Sequence, residues 1–188
     1  MTTIREGRQT LSFDTSWSVL KWDGSHEFVG SMDAALHQLG GGVKAADVVG
    51  VRDIRRQAKL LLIAEFKDFE HPGIPTSRRA AAALAATSGD LMQNIVRKIV
   101  DTLSGATFAH DSSQQRCPEL DSWRPALGRA TTRMLVLVCV EMPESQGLAA
   151  LPWTKELQRR LRWLGPNTRV IVSTSCRPFR GEGITYQV

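Results

Sequence analysis

Apolar residues fall in a few dense runs separated by polar, glycine- or proline-bearing stretches. The densest is LLLIAEFKDF at 60–69, where Leu60, Leu61, Leu62 and Ile63 lead directly into Glu65-Phe66-Lys67. Such a run predicts a strand buried on both faces. RMLVLVCVE at 133–141 predicts the clearest interior strand of the chain. Val48, Val49 and Val51 within 44–52 favour another, interrupted by Asp47. Residues 169–173 predict a short apolar strand. Residues 10–23 mix Leu, Phe, Trp and Val with polar positions, and predict one or two short strands at a sheet edge ending at the Asp23-Gly24 turn.

Helical spacing appears in three places. Phe28, Val29, Met32, Leu36 and Leu39 predict a helix over 26–39, with Ser25 as its cap and three glycines at 40–42 as its stop. Leu91, Ile95, Ile99 and Leu103 repeat every four residues, broadened by Val96 and Val100. They predict a helix over 90–103, with Ser88 as cap and Asp90 at the positive end of its dipole. Trp153, Leu157, Leu161 and Leu164 give one side of an amphipathic helix over 153–164. The alanines of 78–86 favour a helical turn or two. Residues 53–59 read as a hairpin connection, 111–128 as a loop, and the end of the chain from Arg177 as peripheral.

The order is strand, helix, strand, strand, helix, strand, helix, strand. It predicts an α/β fold with a mixed sheet and helices on its faces. A chain of 188 residues suits one domain with a substantial core.

Composition narrows the class. With 42% hydrophobic and 23% charged residues the chain has globular rather than disordered character. A net charge of +5 permits a polyanionic partner without requiring one. Three cysteines, Cys117, Cys139 and Cys176, lack metal-ligand spacing and read as reduced thiols of a cytoplasmic protein. MTTIREGRQT has no apolar signal core, and no run approaches the roughly 20 residues of a membrane helix. The glycines at 40–42 are not followed by Gly-Lys-Ser/Thr, and no G-x-S-x-G elbow occurs. The four histidines are scattered, and the five tryptophans suit the core or its rim.

Candidate chemistry sits on the strands. Residues two apart on a strand share a face, so Glu65 and Lys67 project together. Charges at the lip of a core call for a partner or a metal. A hairpin between the two strands brings Asp47 near Glu65. The ordinary reading of each feature is a strand-end Asp and a surface Glu–Lys pair of little energetic value. The combination, in this order and among these elements, argues for more.

Asp47 in AADVV, followed by Glu65-Phe66-Lys67 in LLLIAEFKDF, resembles the signature of the PD-(D/E)XK nuclease superfamily, in particular its small bacterial members. Ala46 stands where the family's name has proline, which carries no chemistry. The resemblance implies a restriction-endonuclease-like αββαβ core over about 25–175, with 1–24 as an N-terminal strand extension of a single domain. It implies a Mg²⁺- or Mn²⁺-dependent nuclease that hydrolyses DNA phosphodiester bonds in a setting such as bacterial defence or repair. Asp47, Glu65 and the backbone carbonyl of Phe66 would bind the metal, and Lys67 would position or deprotonate water. An acidic residue of the preceding helix often completes such a site. Glu27 is the candidate, with Asp33 behind it and Asp23 as an outside alternative.

Basic residues could track a phosphate backbone. Arg78 and Arg79 follow the site strand, and Lys98, with Gln93 and Arg97, could face the cleft. Arg52, Arg55, Arg56 and Lys59 belong to the hairpin connection. Lys155, Arg159 and Arg162 on the last helix read better as a solvated face, with Glu156 and Arg160 as an i,i+4 pair. The competing function is a non-catalytic module on the same fold, binding nucleic acid or protein. A homo-oligomer, or a protein partner supplying specificity, is compatible with either reading.

Overall fold

In a computed structural model of the chain, the structure describes residues 1–23, 44–54, 58–69, 89–108, 123, 125–127, 131–141 and 150–188. The predicted helix over 26–39, with Ser25, Glu27 and Asp33, lies outside the described residues, as do the 78–86 turn with Arg78 and Arg79, Arg55, Arg56, Cys117 and all four histidines.

The described chain is mixed α/β, with two sheets and few helices. Strands β1 (Thr2–Glu6), β2 (Gln9–Phe13), β8 (Arg180–Gly181) and β9 (Ile184–Gln187) form an antiparallel sheet in the order β1-β2-β9-β8. Strands β3 (Trp17–Lys21), β4 (Val48–Asp53), β5 (Lys59–Asp68), β6 (Arg133–Glu141) and β7 (Thr168–Thr174) form the larger sheet in chain order. Here β3, β4 and β5 are an antiparallel meander, and β6 and β7 add in parallel. A parallel step needs a crossover. Helix α1 (Asp90–Phe108) lies within the first crossover and α2 (Ala150–Arg160) within the second.

Period-two alternation divides the larger sheet between two cores. Leu61, Ile63, Val136, Val138 and Val140 pack on the helix side with Met92, Ile95, Ile99, Trp153 and Leu157. Leu60, Leu62, Ala64, Phe66, Leu135, Leu137 and Cys139 face the small sheet with Leu11, Phe13, Ile184 and Tyr186. The order is therefore helices, five-stranded sheet, four-stranded sheet. This explains why β5 and β6 read as unbroken apolar runs: both of their faces are buried.

Several expectations need correction. The chain end is not peripheral: β9 pairs with β2, and Ile184 and Tyr186 are buried. Only alternate residues there are apolar, and their partner strand lies at the far end of the chain. The 10–23 stretch does form two short strands, with β3 at the edge of the large sheet, but β2 belongs to the other sheet, inside its order. Within the expected 111–128 loop, Trp123 and residues 125–127 are helical, and Trp123 is buried with its indole N–H donating to Gly50 O at 3.0 Å. Helix α2 gives way before Leu164 to a 3₁₀ turn, Arg162–Leu164, closed by Gly165 N–H to Arg162 O at 3.2 Å. That turn carries Leu164 against the core and leaves Trp163 56% exposed, outside the core or rim placement expected for the tryptophans. No described helix is long and apolar enough to cross a membrane.

Candidate active site on the helix face of the large sheet

The β4–β5 ladder pairs Val48 with Ala64, so Asp47 emerges one residue before the ladder, level with Glu65. Three backbone anchors hold it there. Trp22 N–H donates to Asp47 O at 2.8 Å, Ala46 N–H donates to Thr102 Oγ1 at 2.8 Å, and Lys44 N–H donates to Asp101 Oδ2 at 3.0 Å. The last two acceptors belong to α1, so one helix fixes the segment entering the site. Lys44 Nζ reaches Asn94 Oδ1 of the same helix at 2.7 Å.

The Asp47 side chain has two distinct oxygens. Oδ2 accepts from Phe66 N–H at 2.5 Å, which joins the two strands just beyond their ladder. Oδ1 faces Lys98 Nζ of α1 at 3.6 Å. Glu65, 1% exposed, places Oε1 2.5 Å from Lys67 Nζ and 2.7 Å from Lys98 Nζ. Its Oε2 is buried without a hydrogen-bond partner among the described residues. Two acids from adjacent strands thus converge on one ammonium from the helix above, with a second ammonium alongside.

Charge and burial act against each other here. Burial, then the negative charge of Asp47, raises the pKa of Glu65, while Lys67 and Lys98 pull it back. For Lys98 burial alone would lower the pKa, but Glu65 and Asp47 outweigh it and the net shift is upward. Asp23 is half-buried beside this group. Burial and then Asp47 raise its pKa, and its Oδ1 is buried without a hydrogen-bond partner among the described residues.

The expected trio of Asp47, Glu65 and Lys67 is therefore brought together. Among the described residues, no cluster of three or more His, Cys, Asp or Glu side chains is gathered for a metal, so Asp23 does not complete one. Lys98, expected to contact nucleic acid from the cleft, lies against both carboxylates. Arg52 and Lys59 lie in strands rather than in the hairpin connection. Arg52 pairs with Glu182 at 3.8 Å and Lys59 with Asp53. Lys59 is six residues from Glu65 along β5, roughly 20 Å at strand rise. On α2, Glu156 binds Arg160 at 2.6 Å and Arg159 at 2.7 Å. The Arg159 and Arg160 hydrogen bonds hold the Glu156 carboxyl down at about 2, as the solvated-face reading expects.

A second polar group was missed. On the opposite face of β5 and β6, Asp68 and Glu141 stand side by side, with Arg8 3.6 Å from the first and 3.7 Å from the second. Buried Tyr186 donates to Gln9 Oε1 at 2.9 Å beneath them. Burial, with lesser contributions from Cys139, Glu141 and Asp68, drives the Tyr186 pKa far up. The signal in the sequence was the alternation in EFKD, which turns Asp68 away from Glu65 and Lys67.

Compared with protein-family models, curated proteins and solved structures, the chain has no significant match to any. Geometry alone carries the functional reading.

Proposed function

We propose that the chain is a metal-dependent DNA nuclease of the PD-(D/E)XK kind with a restriction-endonuclease-like core. The observation that carries this reading is the convergence of the Asp47 and Glu65 carboxylates on a single point, with Lys67 beside them. Support comes also from the large sheet, an antiparallel meander extended by parallel strands across α1 and α2, which is compatible with the ββαβ part of that core.

The residues fit a hard divalent cation. Such ions take oxygen ligands, and Glu65 Oε2 is a buried carboxylate oxygen without a hydrogen bond among the described residues. Asp47, Glu65 and the Phe66 carbonyl would hold Mg²⁺ or Mn²⁺, which when bound polarises a phosphodiester and acidifies water. Asp47 is pre-oriented for this, because the Phe66 amide fixes Oδ2 and leaves Oδ1 on the shared side. Lys67, partly buried and next to Glu65, holds the attacking water or hydroxide and offsets negative charge on the phosphate.

The test is cleavage of plasmid and single-stranded DNA with Mg²⁺ or Mn²⁺. Glu65→Gln and Lys67→Ala should each lower the rate at least about a hundredfold. A folded wild type that cuts neither substrate with either ion overturns the nuclease reading. Cutting that survives both substitutions removes Glu65 and Lys67 from the site.

A second reading is a non-catalytic nucleic-acid- or protein-binding module on the same fold. The observation in its favour is that Lys67 and Lys98 already compensate the acids.

A further inference from the structure

Lys98 and Lys67 are not equivalent. Among the described residues Lys67 meets Glu65 alone, from two positions along the same strand, whereas Lys98 reaches both acids from α1. Its Nζ stands where Glu65 Oε1, at 2.7 Å, and Asp47 Oδ1, at 3.6 Å, come together. Asp47 Oδ1 is the oxygen that the nuclease reading leaves to the divalent ion, and Glu65 Oε1 belongs to the second carboxylate of that reading, so ammonium and ion compete for the same pair of carboxylates. Two cations cannot share that seat, because their repulsion in a part-buried site is large. Helix α1 cannot withdraw to make room. Asn94, Asp101 and Thr102 fasten it to the Lys44–Ala46 segment on the same side of the sheet. The flexible four-carbon stem of Lys98 can yield in its place.

We propose that Lys98 is a displaceable internal counter-ion. In the metal-free protein it occupies the cation seat and keeps the two carboxylates facing each other. When a divalent ion enters, the ammonium swings out of the seat toward the solvent side, where the phosphate backbone would lie. The side chain serves as a positioning residue in the first state and as a phosphate contact in the second. This inference rests on the proposed metal site.

Two measurements on the full chain test it. The first is Mn²⁺ binding, by electron paramagnetic resonance or calorimetry, to wild type, Lys98→Met, Lys98→Arg and Glu65→Gln. Lys98→Met should bind about tenfold more tightly than wild type, since the ion no longer displaces a charge-assisted pair. Lys98→Arg, which keeps the charge, should bind no more tightly, and Glu65→Gln should lose the site. The second is acetylation footprinting of wild-type lysines with and without Mg²⁺, which needs no variant to fold. Labelling of Lys98 should rise with the ion while Lys155, on the outer helix, stays level.

Mn²⁺ binding that is no tighter in Lys98→Met, or Lys98 labelling unmoved by Mg²⁺, overturns the proposal and leaves the nuclease reading standing. The predicted shifts without DNA cleavage would sink catalysis and keep the counter-ion. Absence of ion binding in wild type and Lys98→Met alike overturns both.

Discussion

At the scale of single residues, the polar side chains beside Asp47 carry opposite electrostatic consequences. Asp23 has a raised pKa, from burial first and Asp47 second. The folded protein therefore holds the Asp23 proton more tightly than the unfolded chain does. Between the unfolded value and the higher folded one, this group's effect on stability worsens as pH rises, and above the folded value its full cost is present. Asp23→Asn removes that cost. The variant should melt above wild type at neutral pH, and the gap should close on acidification below the ordinary Asp range. A series of thermal melts across pH checks this, and a gap independent of pH would refute it. Asp47, Glu65 and Lys67 were legible in the sequence because charges among strand apolars are rare enough to stand out. Lys98 was only half legible. Its place next to the Ile95–Ile99 stripe of α1 gives its side of the helix, but not that the stem reaches down to two carboxylates.

At the scale of elements, close approach between strands explains one glycine. A Cβ added to Gly50 would lie 2.9 Å from Val19 Cγ1 and 3.3 Å from Ser18 O, so β3 and β4 meet too closely there for a side chain. The Gly50 carbonyl also accepts the Trp123 indole N–H. Gly50→Ala should cost about 1–3 kcal/mol by overpacking. Chemical denaturation measures it, and a loss within experimental error would show that β3 shifts freely at the sheet edge. The β4–β5 hairpin and the α1–β6 and α2–β7 pairs were legible because each joins neighbours in the chain and shows a clean period. The helical residues at 125–127 were not, because polar and proline-bearing surroundings mask the burial of Trp123 and Ala126. The end of α2 was overextended because the apolar spacing continues through Leu161 and Leu164 while the backbone tightens to 3₁₀.

For the whole molecule, the small sheet is fastened to the large one at both ends. At one end Arg8 reaches Asp68 and Glu141. At the other, Trp17 Nε1 donates to Glu182 O at 2.7 Å, and Arg52 and Arg133 approach the Glu182 carboxylate at 3.8 and 3.7 Å. Between them, Leu11, Phe13, Ile184 and Tyr186 cover Leu60, Leu62 and Leu137. Ending the chain at Phe179 deletes β8 and β9 and opens that core. The shortened chain should lose its cooperative unfolding transition or form aggregates, as circular dichroism melts and light scattering would report. A sharp melt near that of the full chain would show the second core to be dispensable. This half of the architecture was hidden from sequence reasoning because its central pairing joins residues near opposite ends of the chain. Neither β2 nor β9 announces its partner by any local pattern.

That same β2–β9 ladder has a consequence in time. Thr10 pairs with Gln187 and Phe13 with Ile184, so the small sheet closes a loop of nearly the whole chain. Contacts this distant in sequence form late and slow the folding of the region they belong to. On the ribosome, the apolar side of the β1–β2 hairpin must wait for β9 to emerge, exposed to other chains meanwhile. Asp47, Glu65, Lys67 and Lys98 are all synthesised well before β9, and they lie on the other face of the sheet. The order of synthesis thus separates the assembly of the charged site from the sealing of the molecule.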